Sequence, residues 1–152
     1  MTTTIYLATD HAGLALKDTV KKFLQSKETY QVIDCGAEVY DADDDYPQYI
    51  SQAAEAVSKN PNTRAIIFGG SGQGEAIVAN KYRGVRAVVY YGGAEDIISL
   101  SREHNDANIL SIGARFVTEE AILPLITDWL QTPFTEDVRH VRRLTMFKDL
   151  GS

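Results

Sequence analysis

Residues 64–81 read "RAIIFGGSGQGEAIVANK". The opening "RAIIFG" (64–69) is a nearly continuous apolar run, the pattern of a strand buried on both faces of a parallel sheet. Gly69, Gly70, Gly72 and Gly74 crowd the turn that follows. From Glu75 onward "EAIVANKY" (75–82) has helical spacing. Strand, glycine loop and helix form the repeating unit of open α/β folds, and the loop is where such folds hold anions. Glu75 stands at the entry to the helix, where an anion cradle would ordinarily have a cation or nothing.

The rest of the chain repeats the unit. Strand patterns occur at 4–9 ("TIYLAT"), 30–34 ("YQVID"), 86–91 ("RAVVYY") and 108–113 ("NILSIG"). Helical spacing covers 13–27, 49–60, 94–104, 118–130 and 135–150, with Thr118 placed as an N-cap. "CGAEVYDADDDYP" (35–47) is a polar loop rich in acids. Five alternations predict a doubly wound five-stranded parallel sheet, a Rossmann-like three-layer αβα fold with a C-terminal helix. The 152 residues suffice for one domain, 1–152, with no linker or internal repeat.

Composition narrows the function. Hydrophobic residues make up 44% and charged ones 24%, as in ordinary globular proteins. A net charge of −6 argues against a general nucleic-acid partner, though an arginine cluster can still hold a small anion. Cys35 is the single cysteine, so no internal disulfide is possible and a reducing compartment is expected. The N-terminal "MTTTIYLATD" lacks the pattern of a signal peptide, and no apolar run has membrane-spanning length. The expectation is a cytoplasmic protein with no membrane partner.

In doubly wound folds the ligand lies beyond the C-terminal ends of the strands. The polar groups assigned to that search are Asp10 and His11 in "TDHAG", Asp41–Asp45 and Tyr46, Ser71 and Glu75, His104 and Asn105 in "SREHN", Arg115, and Arg139, His140, Arg142 and Arg143 in "RHVRR". The glycine loop fails two familiar tests. From Gly70 the spacing reaches Glu75 where a dinucleotide fingerprint needs glycine, and no Lys-Ser/Thr follows Gly74 as a triphosphate loop requires. A row of backbone N–H groups remains, fit to hold a negative charge. That charge can be an oxyanion formed during reaction, with Glu75 removing a proton from carbon beside it.

Taken singly, each residue has an ordinary structural reading. A glutamate in a first helical turn suits the dipole, as does a histidine in a last turn such as His104. His11 can help cap a helix. "RHVRR" reads as an exposed helical face, and Asp41–Asp45 as a solvated loop without the glycine and glutamate of a calcium site. Cys35 reads as structural, with nothing near it to activate the thiol. The three histidines lack zinc-site spacing, so no metal is expected.

Taken together, "TDHAG", "DYP", "GGSGQGEAIVANK", "REHNDANILSIGAR" and "RHVRR" resemble the family of ribose-5-phosphate isomerase type B and the galactose-6-phosphate isomerase subunits. The similarity runs from residue 5 to about 145 with the motifs in order. The resemblance implies an aldose–ketose isomerase that works through a cis-enediolate without metal or organic cofactor. Many members carry a cysteine base at the position of Gly69. This sequence is similar instead to the subgroup with glycine there and a glutamate at the position of Glu75. By the same resemblance Ser71 and the amides around Gly70, Gly72 and Gly74 stabilise the enediolate. His104 opens the furanose ring with help from Asp10, and Asn105 binds a substrate oxygen. His11, Arg139 and Arg143, assisted by Arg115, take the phosphate, and Tyr46 lines the sugar pocket. The family implies a homodimer, or a dimer of such dimers, whose active sites borrow the "HN" pair from the neighbouring subunit. Ribose 5-phosphate is the first expected substrate. The alternatives are a hexose 6-phosphate such as that of galactose or allose, a silent sugar-phosphate-binding protein, and a flavodoxin-like electron carrier, for which "TDHAG" is not a phosphate loop.

Overall fold

The computed structural model of the chain describes residues 2–151. Its five strands are β1 (Thr3–Thr9), β2 (Tyr30–Asp34), β3 (Arg64–Gly69), β4 (Ala87–Tyr90) and β5 (Ile109–Gly113). Six α-helices alternate with them and extend past the last: α1 (Leu14–Gln25), α2 (Tyr46–Lys59), α3 (Gln73–Ala79), α4 (Asp96–Asn105), α5 (Glu119–Gln131) and α6 (Val138–Met146). All strand pairs are parallel, in the order β2-β1-β3-β5-β4. The expected doubly wound, Rossmann-like fold is therefore observed.

Burial along β3 explains its apolar run. Ile66 and Phe68 face one side and join Leu16, Val20, Ile98, Ile126 and Trp129 from α1, α4 and α5. Ala65 and Ile67 face the other side and join Ile50, Ala53, Val57 and Ala79 from α2 and α3. Both faces are covered, so neither parity of the strand has room for a polar residue. β2, at the sheet edge, shows alternating exposure instead.

A buried ion pair ties the first crossover down. Lys17 is fully buried in α1, and its Nζ donates to Asp34 Oδ1 at the end of β2 and to the Ala37 carbonyl, both at 2.6 Å. Lys21 adds a second contact to Asp34 at 3.1 Å.

Strand order reverses between β1 and β3, and there the two C-terminal ends are level, with Thr9 paired to Phe68. The loops after β1 and β3 consequently open side by side, the location at which such sheets hold ligands. Gly69 is level with Gly113 of β5, which brings the segment after β5 to the same place.

Several boundaries differ from the sequence reading. α2 begins at Tyr46 rather than 49, because Asp45 is extended and Pro47 fits the first turn. α3 begins at Gln73 rather than 75, after Gly72 takes φ 79°. The last helix is shorter than 135–150: Asp137 caps α6 by accepting from the Arg139 N–H, and a 3-10 turn replaces the helix after Met146.

Candidate active site

The glycine loop organises the first group of residues. At Gly69, the last residue of β3, an added Cβ would fall inside the Glu75 carboxylate. The glycine thus leaves the space into which Glu75 folds back from the first turn of α3. The carboxylate is nearly inaccessible, with Glu75 only 5% exposed. Burial is the main force raising its pKa above the ordinary glutamate value, and Asp10 adds to it; the N–H groups of Gly72 and of Glu75 itself pull the other way. A raised pKa brings a carboxylate nearer the range useful to a general base.

Neighbouring residues line the same loop. Tyr46, at the start of α2, lies over Gly74, where any side chain would strike its ring. The Arg115 guanidinium lies over Gly70, and the Arg115 N–H donates to the Gly70 carbonyl at 3.2 Å. Ser71 is exposed, and its Oγ accepts a long 3.4 Å bond from the Gln73 N–H. Ser111 donates to the Gly72 carbonyl at 2.7 Å and fixes the left-handed turn from beneath. Asp10 is buried and caps the turn after β1 by accepting from the Ala12 N–H at 3.0 Å.

Asp44 corrects the sequence reading. Of the acids 41–45 it is not solvated: its side chain is 4% exposed. Its Oδ1 accepts from the His11 N–H at 3.2 Å and lies 2.6 Å from His11 Nδ1. The loop folds back because α2 starts at Tyr46, which carries residue 44 over the end of β1. Among the described residues, Asp10, His11 and Asp44 form the one group whose spacing would admit a metal ion. The 2.6 Å separation of His11 and Asp44 is that of a hydrogen-bonded pair, which a cation would have to open.

A second group lies elsewhere. α4 leaves the C-terminal edge of the sheet after β4 and ends just before β5, so His104 and Asn105 sit at the N-terminal edge. The sequence reading placed them with the strand-end loops; the helix direction puts them at the opposite edge, one strand length, roughly 16 Å, from the glycine loop. Asp106 ends α4 in a left-handed conformation (φ 47°) and bridges Arg86 and Arg102. Thr135 bonds the Glu103 carbonyl through its N–H and Oγ1 and brings α6 alongside. His140 of α6 then stacks on His104 with ring centroids 4.4 Å apart. His140 is buried rather than part of an exposed face, with its pKa lowered by burial first and by His104 and Arg139 after it. His104, Asn105, His140 and Arg143 line an open cavity of about 500 Å³ whose apolar wall is Leu144, Met146, Phe147 and Leu150. Arg139 is exposed near Asp137.

The sequence reading named Asp44 and His140 among the polar candidates but gave neither a role in the site. His140, Leu144 and Phe147 are spaced i, i+4, i+7, a signal of one inward helical face. Nothing comparable marks Asp44 among the three other acids of 41–45. Cys35 is half-buried, with burial raising its thiol pKa, as expected of a structural cysteine.

Residues 5–147 match the Ribose/Galactose Isomerase family. A ribose-5-phosphate isomerase B of Mycolicibacterium paratuberculosis is 39% identical over 145 residues, covering 95% of this chain and 89% of the relative. The crystal structure of ribose-5-phosphate isomerase B from Mycoplasma genitalium with bound ribulose-5-phosphate superposes with a TM-score of 0.92, at 35% identity, over 98% of this chain and 96% of that one. The type B ribose 5-phosphate isomerase of Trypanosoma cruzi gives a TM-score of 0.91 at 33% identity, over 99% and 97%.

Proposed function

This chain belongs to the ribose/galactose isomerase family, and on that premise we propose that it interconverts ribose 5-phosphate and ribulose 5-phosphate. The reading takes the whole chain, 1–152, as one sugar-phosphate isomerase domain. The observation that carries it is the Glu75 carboxylate, buried over Gly69 beside the glycine-loop amides.

The chemistry needs one proton moved between adjacent carbons. Glu75 takes the proton from C2 of the open-chain aldose, and electron density passes to the C1 oxygen. The amides of 70–74 and Ser71 hold the resulting cis-enediolate. Glu75 returns the proton to C1, while the proton of the C2 hydroxyl passes to the C1 oxygen, leaving a C1 hydroxyl and a ketone at C2. Before this, the closed ring must open: His104, assisted by Asp10, moves a proton from the anomeric hydroxyl to the ring oxygen. Asn105 holds a sugar oxygen and Tyr46 lines the sugar. His11, Arg115, Arg139 and Arg143 hold the phosphate.

Glu75 and His104 of one chain lie at opposite sheet edges, too far apart for one pentose. The reading therefore joins Asp10, His11, Tyr46, residues 70–75 and Arg115 of one copy to His104, Asn105, Arg139 and Arg143 of a second, in a homodimer. Exposed apolar side chains support such an interface: Ile77 and Ile97 on α3 and α4, and Val138, Met146 and Leu150 at the C-terminal end.

The test is a coupled assay of the purified protein on ribose 5-phosphate, allose 6-phosphate and galactose 6-phosphate. Ribose 5-phosphate should give the highest kcat/KM. Preference for a hexose phosphate, or no turnover of any, would overturn the assignment.

A further inference from the structure

We infer that Asp44 is the positioning residue of the phosphate site: it holds His11 with Nδ1 protonated and cationic, so that Nε2 is left to donate to a phosphate oxygen. The inference rests on the isomerase reading for the identity of the ligand, but its geometry stands by itself.

Asp44 Oδ1 carries two contacts, one to the His11 N–H at 3.2 Å and one to Nδ1 at 2.6 Å. The first fixes the residue and the second fixes the ring. A carboxylate accepts only, so Nδ1 must be the donor. Nε2 has no protein partner among the described residues. Tyr40 meets the ring edge-on, with centroids 5.7 Å apart, and limits its rotation.

The other oxygen, Asp44 Oδ2, is buried and has no hydrogen-bond partner among the described residues. A carboxylate 4% exposed with one idle oxygen is costly unless a cation stands against it. His11 is the cation in contact with it. Neutralising the imidazole would strand the Asp44 charge, and the ring is thereby held protonated. The charged groups facing His11 are Asp44 and Asp10, which favour the cation, and Arg115, which opposes it. The net effect raises the His11 pKa above its ordinary value, the Asp44 hydrogen bond being the largest cause. The device would keep a charge-assisted phosphate donor available at pH values where an isolated histidine is neutral.

Asp44→Asn keeps the shape and an acceptor but removes the charge. KM for ribose 5-phosphate and Kd for inorganic phosphate are to be measured across pH for the unmutated protein and this variant. The phosphate's own ionisation is common to both proteins and cancels in the ratio. At acidic pH, where His11 is protonated in either protein, the ratio should lie near or below one, because a repelling carboxylate has gone. At alkaline pH the variant should bind roughly tenfold more weakly, the loss of one hydrogen bond to a charged group. The fall in kcat should be far smaller than the rise in KM. A ratio that is flat with pH, even if high, would mean a merely structural role and overturn the inference. NMR of the unmutated protein gives a second reading that does not depend on the variant folding. His11 should titrate above the ordinary histidine value and carry its proton on Nδ1 when neutral; protonation on Nε2 would overturn the inference. If the unmutated protein turns over no ribose 5-phosphate, the isomerase reading fails, while the inorganic phosphate and NMR results still decide the role of Asp44.

Discussion

At the residue scale the central relation is between Gly69 and Glu75. The carboxylate occupies the volume that any side chain at 69 would claim. Position 69 does not require glycine for its backbone, since its φ is not in the left-handed region, so Gly69→Ala should fold. The added methyl would displace the carboxylate from its buried seat, and on the proposed mechanism a shift of that kind should lower kcat by about a hundredfold. Circular dichroism and steady-state kinetics would check both halves; unchanged kcat would show that the carboxylate has no fixed catalytic position. Glu75→Gln should lower turnover by roughly a hundredfold to ten-thousandfold with affinity little changed. In the unmutated enzyme kcat/KM should rise with pH as Glu75 ionises, with its midpoint above the ordinary glutamate value, because burial and Asp10 raise that pKa. The same shift has a stability consequence. Below the unfolded-state pKa the neutral carboxyl contributes stability that is lost as pH rises through the higher folded-state pKa. At neutral pH Glu75→Gln should therefore melt at a higher temperature than the unmutated protein, a calorimetric result that an unstrained surface glutamate would not produce.

At the element scale, the end of α4 is held by design of its cap. Arg102 is almost fully buried and donates to Asp106 Oδ1 at 2.8 Å and to the Ala107 carbonyl at 2.6 Å. Asp106 also adopts the left-handed conformation that stops the helix after Asn105. Asp106→Ala removes the partner of a buried guanidinium and puts a Cβ-bearing residue without a polar side chain into that conformation. Because Asp106 is itself partly exposed, the expected loss is about 2–3 kcal/mol, less than for a fully buried pair. Chemical denaturation should show it as a lower midpoint with an unchanged slope. Asp106→Asn, which tolerates the left-handed region, should recover the backbone share. No loss in either variant would mean that Arg102 is satisfied by carbonyls alone.

At the scale of the whole molecule, the two residue groups face different edges of one sheet, which the shared-site reading turns into a quantitative expectation. Glu75→Gln and His104→Ala should each be inactive on ribose 5-phosphate. Unfolded together and refolded as a mixture, half of the dimers would be mixed, and each mixed dimer would contain one site with both residues intact. About a quarter of the unmutated activity should return. A site built within one chain would give no recovery, since neither parent supplies both groups.

Much of this protein was legible before any coordinates. The apolar run 64–69, its glycines and the five alternations decided the sheet, because burial on both faces and helical spacing are short-range patterns written into neighbouring residues. The same motifs identified the family and motivated the role proposed for Glu75. What the linear pattern could not show were relations between segments far apart in sequence. Asp44 looks like its three acidic neighbours until the start of α2 folds it over the end of β1 onto His11. His104 looks like a companion of the strand-end loops until α4, running back across the sheet, carries it to the other edge and against His140. Periodicity specifies which face of an element is buried. Which side chains then meet depends on where each element ends and in which direction it crosses the sheet, and only the closed tertiary structure decides that.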